Sequence, residues 1–166
     1  SKLRIIDQDG VTFSSHIDGK KFRLTPEISV TVQKKLNANI TMVLDECTTH
    51  PSTHTESKKS LELSLNWAKK CKEAYEEREG FGLFAIIQGG MYKDLRKNSC
   101  ENLIDMNFDG YAIGGLSVGE KHSEMIDIVN FTSEFLPDEK PRYLMGVGRP
   151  VDIFKSVEKG IDMFDC

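Results

Sequence analysis

At 166 residues, with 39% hydrophobic and 29% charged side chains, five prolines and no low-complexity tract, the chain has the length of one ordinary domain or of a piece of a larger one. It holds enough apolar material for a core, which excludes a disordered chain. Its net charge of −4 gives no global attraction to nucleic acid or to an anionic membrane, so any RNA contact has to come from a local patch.

No apolar run approaches the roughly 18 residues that a membrane span requires, and the start SKLRIIDQDG lacks a signal-peptide pattern. The four cysteines, Cys47, Cys71, Cys100 and Cys166, stand far apart with no CxxC pair and no zinc spacing. A cytoplasmic protein with reduced thiols and no metal ligands is expected.

The first 24 residues alternate short β-like runs with Asp-Gly pairs: KLRII, Asp9-Gly10, VTFSSHI, Asp18-Gly19, KKFRL. Asp-Gly between such runs favours type I′ turns, so residues 1–24 are expected to form an antiparallel β-hairpin insert. Residues 25–166 form the second unit. Thr25-Pro26-Glu27 opens a helix on which Ile28, Val32 and Leu36 recur every four residues.

From Ile40 onward one unit repeats: an apolar run, a Gly-rich or polar tip, and an amphipathic helix. The runs are ITMVLDEC, GLFAIIQGG, DGYAIGGLS, RYLMGVG and GIDMFDC. The first intervening helix carries Leu61, Leu65, Ala68, Cys71 and Tyr75, with a capping box from Thr53 to Glu56. The next has Tyr92, Leu95 and Leu103. A third carries Met125, Ile128, Val129, Thr132 and Leu136, and a short fourth starts near Pro150 with Phe154 and Val157. Strands alternating with helices imply α/β architecture with a parallel sheet buried on both faces. An open doubly wound sheet and a (β/α) barrel share this signature, and in both the ligands bind at the carboxyl ends of the strands.

Those ends carry Asp45-Glu46-Cys47, Gln88-Gly89-Gly90, Gly114-Gly115-Leu116, Met145-Gly146-Val147-Gly148 and Asp165-Cys166. A carboxylate with an amide matches the donor and acceptor edge of a purine, and a thioether suits a ring face. A second carboxylate could act as a nucleophile at a sugar carbon. The set therefore suggests a nucleobase and a glycosidic bond. Plainer readings stand beside this one: an Asp at a strand end often caps the next helix, and Gly-Gly tips are often tight turns or phosphate cradles. His50 and His54 sit in a polar loop around Pro51 without HExxH, so no metal is expected there. Trp67 reads as packing, and the lysine-rich SKKS and AKKCKE segments read as solvated helix faces.

The strings GVTFSSHIDG, LTPEISV, DEC, IIQGG, AIGGLSVGE, RYLMGVGRP and GIDMFDC resemble, in order and close to spacing, the bacterial tRNA-guanine transglycosylase (queuine tRNA-ribosyltransferase) family. The resemblance implies part of a (β/α)8 TIM barrel, about strands three to seven, after the hairpin insert. It implies exchange of guanine at the wobble position of tRNAs with a GUN anticodon (Asp, Asn, His, Tyr) for the queuosine precursor preQ1. Under it Asp165 is the nucleophile at the ribose C1′ and holds the RNA covalently. Asp45, Gln88 and Gly115 recognise the base, guanine or preQ1. Leu116 offers its carbonyl to an aminomethyl substituent, Glu120 orients that peptide, and Met145 packs on the ring. Cys47 and Val118 mark the bacterial pattern, with β-branched Val118 narrowing the place a bulkier queuine would need. The stretch Gly146, Val147, Gly148, Arg149, Pro150, Val151 and Asp152 resembles the family's RNA contact.

A general acid and base aspartate, RNA-reading arginines and a Cys, Cys, Cys, His zinc module belong to the family pattern and are absent from this sequence. The 166 residues are therefore expected to be a piece of a longer protein, inactive alone. The longer protein is expected to bind zinc and to form a homodimer. The alternative reading is a non-catalytic tRNA-binding paralogue or accessory subunit of the same fold.

Overall fold

The computed structural model describes residues 4–166. The chain begins with a three-stranded antiparallel sheet, β1 (Arg4–Asp7), β2 (Gly10–Ser14) and β3 (Lys21–Leu24), in the order β1-β2-β3. The expected hairpin is thus a meander of two hairpins; Lys2 and Leu3 of the KLRII run lie outside the described residues. Neither Asp-Gly pair forms a type I′ turn. Asp7 pairs with Gly10, so Gln8 and Asp9 make the first loop, and neither has a positive φ. The Asp9 N–H instead donates to Asp7 Oδ1 at 2.9 Å. Gly10, at φ 147°, is required by contact, because a Cβ there would stand 2.2 Å from the Leu24 carbonyl oxygen. In the second turn only Gly19 has positive φ, while the Asp18 carboxylate accepts the Lys20 N–H at 3.1 Å.

Helix α1 (Pro26–Lys35) starts where the sequence indicates: Thr25 Oγ1 accepts the Ile28 N–H and Pro26 fills the first turn. Its expected apolar stripe does not face the core. Ile28, Val32 and Leu36 are exposed, Leu36 to 76%, and Pro26 and Val30 turn inward instead. Gln33 fixes this rotation, since its side-chain amide donates to the Met42 carbonyl at 2.9 Å and accepts the Met42 N–H at 2.8 Å. Two bonds to an otherwise unpaired edge of strand outweigh the four-residue apolar period.

The remainder is α/β: β4 (Ile40–Met42), α2 (His54–Ala74), β5 (Gly82–Ile87), α3 (Lys93–Asp105), β6 (Gly110–Ile113), α4 (His122–Ser133), β7 (Arg142–Leu144), α5 (Pro150–Val157) and β8 (Met163–Phe164). The five strands pair in parallel in the order β4-β5-β6-β7-β8, as a curled half-barrel sheet. The strand order nowhere reverses, whereas reversal defines an open doubly wound sheet. Central β5 and β6 bury Leu83 to Ile87 and Tyr111 to Ile113, as their continuous apolar runs imply.

Leu61, Trp67, Ala68 and Cys71 of α2, Leu95, Cys100 and Leu103 of α3, and Met125, Ile128 and Val129 of α4 complete the core. The Thr53–Glu56 capping box of α2 is present. Helix α5 departs from expectation: Phe154 (67%) and Val157 are exposed, and its buried residues are Asp152 and Ser156. Among the described residues no helix is long and apolar enough to cross a membrane.

Trp67 joins the meander to the α/β unit. It is fully buried, and its Nε1–H donates to the Gln8 carbonyl at 3.0 Å beside a Lys70–Asp9 ion pair at 2.9 Å. Trp67→Phe removes that bond and leaves a void, and is expected to lower the unfolding free energy by about 1–2 kcal/mol. Lys70→Ala, at the exposed pair, is expected to change it much less. Urea denaturation of both variants checks the ranking.

Candidate active site

Because the five parallel strands are hydrogen-bonded in chain order, their carboxyl ends stand in a row along one edge. Asp45 follows β4 and Gln88 follows β5, and they meet: Gln88 Nε2 donates to Asp45 Oδ2 at 2.6 Å. Gln88 is buried, and its own N–H donates to Ser99 Oγ of α3 at 3.2 Å. Asp45 is half-buried. Burial pushes its carboxyl above the usual value, the Gln88 bond pulls against that rise, and the charge of Glu46 adds to it.

Beyond β6 the chain turns through Gly114, Gly115 and Leu116. Gly115 has φ 67°, and a Cβ there would stand 2.4 Å from Gln88 Oε1, so only glycine lets the two tips lie this close. Glu120 accepts the N–H groups of Ser117 and Val118. In a trans peptide the carbonyl opposes the N–H. The Leu116 carbonyl therefore points away from Glu120.

Asp165 follows β8 at the far end of the row. Its Oδ1 accepts the Tyr143 hydroxyl at 2.6 Å and the Gly146 N–H at 2.8 Å. These two donors, the hydroxyl first, hold its carboxyl below the usual range although it is largely exposed. Burial, and then the Asp165 charge, push the Tyr143 hydroxyl up to about 12, so it stays a donor at working pH. The two carboxylates are thus moved in opposite directions: Asp45 toward the neutral form, Asp165 toward the charged one.

Met145 is half-buried between them, its N–H bonded to the Ile113 carbonyl. Of the expected RNA-contact stretch, Gly146, Arg149, Pro150 and Val151 are exposed, Gly148 is half-buried, and Val147 and Asp152 are buried. Asp152 faces His122 Nδ1 at 3.0 Å. A Cβ on Gly148 would stand 2.1 Å from the Cys166 Cβ.

Cys47 is exposed, with its thiol pushed up by burial of its sulfur side and by the charges of Asp45 and Glu46. It lines a groove of about 860 Å³ together with Arg4 and Ile6 of β1 and with Lys59. Val118 lines a smaller cavity of about 200 Å³ with Gly115, Gly90, His50 and Tyr92. His54 pairs with Asp94 at 2.7 Å. Among the described residues no group of three His, Cys, Asp or Glu side chains could hold a metal ion.

Two residues of this region were not picked out from the sequence. Tyr143 precedes Met145 by two in a strand, which puts both on one face. Arg96, enclosed between the β5 and β6 tips, shares a helix face with Ser99, Cys100 and Leu103, the i, i+3, i+4, i+7 pattern of a buried side. An arginine in that pattern is a signal.

The sequence pattern of the family described as queuine tRNA-ribosyltransferase matches residues 1–166. The chain is 54% identical over 166 residues to the queuine tRNA-ribosyltransferase of Rickettsia typhi, covering 100% of this chain and 46% of that protein. It is 55% identical to that of Acinetobacter baylyi, covering 99% of this chain and 43% of the relative. The Acinetobacter baumannii protein is 54% identical, at 99% and 44% coverage. The chain thus spans less than half the length of these curated relatives.

Tyr143→Phe is expected to raise the Asp165 titration midpoint toward the ordinary carboxylate value of about 3.9, read by carbon-13 NMR of the Asp165 carboxyl. Asp45→Asn removes a carboxyl whose folded pKa is raised. Its neutral form is favoured in the native state, so ionisation subtracts stability as pH rises through that pKa. The variant is expected to be more stable than wild type at neutral pH, by up to about 1 kcal/mol. The difference should vanish below the unfolded value near 3.9, and denaturation series at several pH values check it.

Proposed function

Starting from the queuine tRNA-ribosyltransferase family, to which this chain belongs, we propose that the protein carrying it exchanges guanine at the tRNA wobble position for preQ1 through a covalent aspartyl-ribose intermediate. The observation that carries the reading is the row of tips itself: an ionised, donor-held carboxylate at one end, a desolvated carboxylate at the other, and base-edge donors between them.

In the proposed reaction an Asp165 carboxylate oxygen attacks C1′ of the ribose and the C1′–N9 bond breaks. Its electron pair leaves with guanine, which then takes up a proton. The incoming base loses its proton, its ring nitrogen attacks C1′, the C1′–Asp165 ester breaks, and the carboxylate is restored. Asp45 accepts from the pyrimidine edge of the base, while Gln88 and the Gly115 N–H face its exocyclic oxygen. To reach the base Gln88 exchanges its bond to Asp45 for one to the ligand. The Leu116 carbonyl, turned outward by Glu120, receives the aminomethyl group. Met145 covers the ring.

Substrate tRNAs with a GUN anticodon, a cytoplasmic setting and a homodimer complete the reading. A zinc module belongs to the family resemblance, but the described residues offer no ligand set for it, and no step here passes through a metal. For the architecture we propose a (β/α)8 barrel closed by further strands. The unreversed strand order supports it. So do the exposed apolar residues flanking both margins of the half-barrel, Ile28, Val32 and Leu36 on α1 and Val151, Phe154 and Val157 on α5.

The intact gene product, mixed with a GUN-anticodon stem-loop and 9-deazaguanine, is expected to give an RNA-protein band on a denaturing gel. Asp165→Asn is expected to give none and to lose base exchange by at least ~10³-fold. No band with the wild type, or a persisting band in the variant, would sink the assignment. Val118→Gly opens the cavity beside Gly115. It is expected to narrow the preference for preQ1 over queuine by roughly tenfold in competitive exchange assays.

A further inference from the structure

Arg96 is fully buried, and nothing in the exchange chemistry above employs it. Its guanidinium faces backbone alone. Nε donates to the Gly90 carbonyl at 2.9 Å, and Nη1 donates to the Ile87 carbonyl at 2.9 Å and to the Gly114 carbonyl at 2.8 Å. Nη2 has no hydrogen-bond partner among the described residues, and no carboxylate there is in ion-pair contact with the group, although the Glu120 charge favours the cation from farther off. Burial pulls the guanidinium pKa down to about 10, so it is still a cation at neutral pH. A buried cation without a counter-ion is expensive to keep. Here the direct compensation is three carbonyl dipoles, all of them belonging to the β5 and β6 tips.

One of the three matters for the ligand. The Gly114 carbonyl and the Gly115 N–H are the two ends of the same peptide, and the only cis bond among the described residues is His50–Pro51. The Gly114–Gly115 peptide is therefore trans, so a carbonyl turned into Arg96 turns the Gly115 N–H away from it. That N–H makes no bond to the protein among the described residues. Its orientation is locked from behind. A Cβ on Gly115 would sit 3.5 Å from Arg96 Nη2 and 2.4 Å from Gln88 Oε1, so cation, peptide and amide are packed without slack. A peptide whose carbonyl is bonded to a cation carries a more acidic, stronger N–H, because the bonds polarise one another in a low-dielectric site.

Resting on the base-exchange reading above, we infer that Arg96 is a positioning residue that makes the Gly115 N–H a charge-assisted donor for the exocyclic oxygen of a 6-oxopurine or its deaza analogue. The same residue holds the peptide preceding Gln88 by its carbonyl, while Ser99 on the next turn of α3 takes that peptide's N–H. Both donors to the oxygen are thus set by one helix face. When the glycosidic bond breaks, negative charge spreads over the departing base and onto that oxygen. A preorganised donor backed by a fixed cation gains strength at that moment and contributes more to turnover than to ground-state binding.

The test compares guanine with 2-aminopurine on the intact gene product; the analogue keeps the ring and amino group but lacks the oxygen and, with it, the N1–H offered to Asp45, a loss common to wild type and Arg96 variants. Wild type is expected to favour guanine by at least about tenfold. Arg96→Gln should cut that preference about tenfold while leaving the 2-aminopurine Kd within about twofold. Arg96→Lys should fall between, keeping the charge but losing the fork. In exchange assays kcat/KM for guanine should fall further than its affinity.

An unchanged preference, or an equal loss for both ligands, overturns the inference, since a purely structural arginine would weaken both alike. A measurement on wild type covers variants that do not fold. The Gly115 amide proton should move downfield on adding guanine and stay put on adding 2-aminopurine, and a resonance unmoved by both overturns it as well. A wild type that takes up neither base sinks the base-exchange reading itself. Exchange with an unaltered preference in Arg96→Gln sinks only the role of Arg96.

Discussion

Parallel strands hydrogen-bonded in the order of the chain have to finish on the same edge, and every candidate functional group depends on that constraint. β4 to β8 follow it without reversal. Residues as distant in sequence as Asp45 and Asp165 are therefore delivered to one row, each on a short tip following one of the two marginal, partly buried strands. The inner strands β5 and β6 are buried along most of their length. Neighbouring tips then touch: Asp45 with Gln88, Gln88 with Gly115, Tyr143 with Asp165.

Within that row the protein treats its two carboxylates differently. Asp45 is enclosed and meets a single amide, so burial outweighs hydrogen bonding and its proton is held more tightly. Asp165 is open to solvent and meets a hydroxyl and a backbone N–H, so hydrogen bonding outweighs burial and its charge is held. Opposite environments for a pair of like groups are what the proposed division of recognition and nucleophilic attack between them requires. Tyr143 is the donor that does most to hold the Asp165 charge, whereas the Gln88 bond at Asp45 works against burial and is outweighed by it.

Backbone does as much as side chains here. Gly115 admits Gln88 at a distance no Cβ would allow, and Gly148 lies against Cys166 in the same way. A Cβ on Gly89 would stand 2.8 Å from the Arg96 nitrogen, so this glycine lets α3 approach the β5 tip. The Gly-rich tips that look from composition like phosphate cradles are points of close contact between adjacent units. The Gly90 and Gly114 carbonyls are turned inward to Arg96, and at the second of these the Gly115 N–H is left for the mouth.

Much of this was legible in the sequence, because it follows from local rules. The alternation of apolar runs with amphipathic helices fixes the α/β class, the caps at Thr25 and Thr53 fix two helix starts, and the residues after each run identify the tips. Where the structure departs from the local pattern, contact at a distance overrules it. Ile28, Val32 and Leu36 have helical spacing yet face outward, since Gln33 is bonded to β4. Phe154 and Val157 do the same while Asp152 goes inside, facing His122.

The first Asp-Gly turn is of another type because Gly10 has to fit against Leu24, and in the second only Gly19 takes a positive φ. The sequence by itself determined which groups stand at the strand ends, since period and turn chemistry are written in neighbouring residues. Only the tertiary structure decided how those groups are charged and aimed. Burial, hydrogen-bond partners and the turning of a peptide by Arg96 depend on elements tens of residues apart.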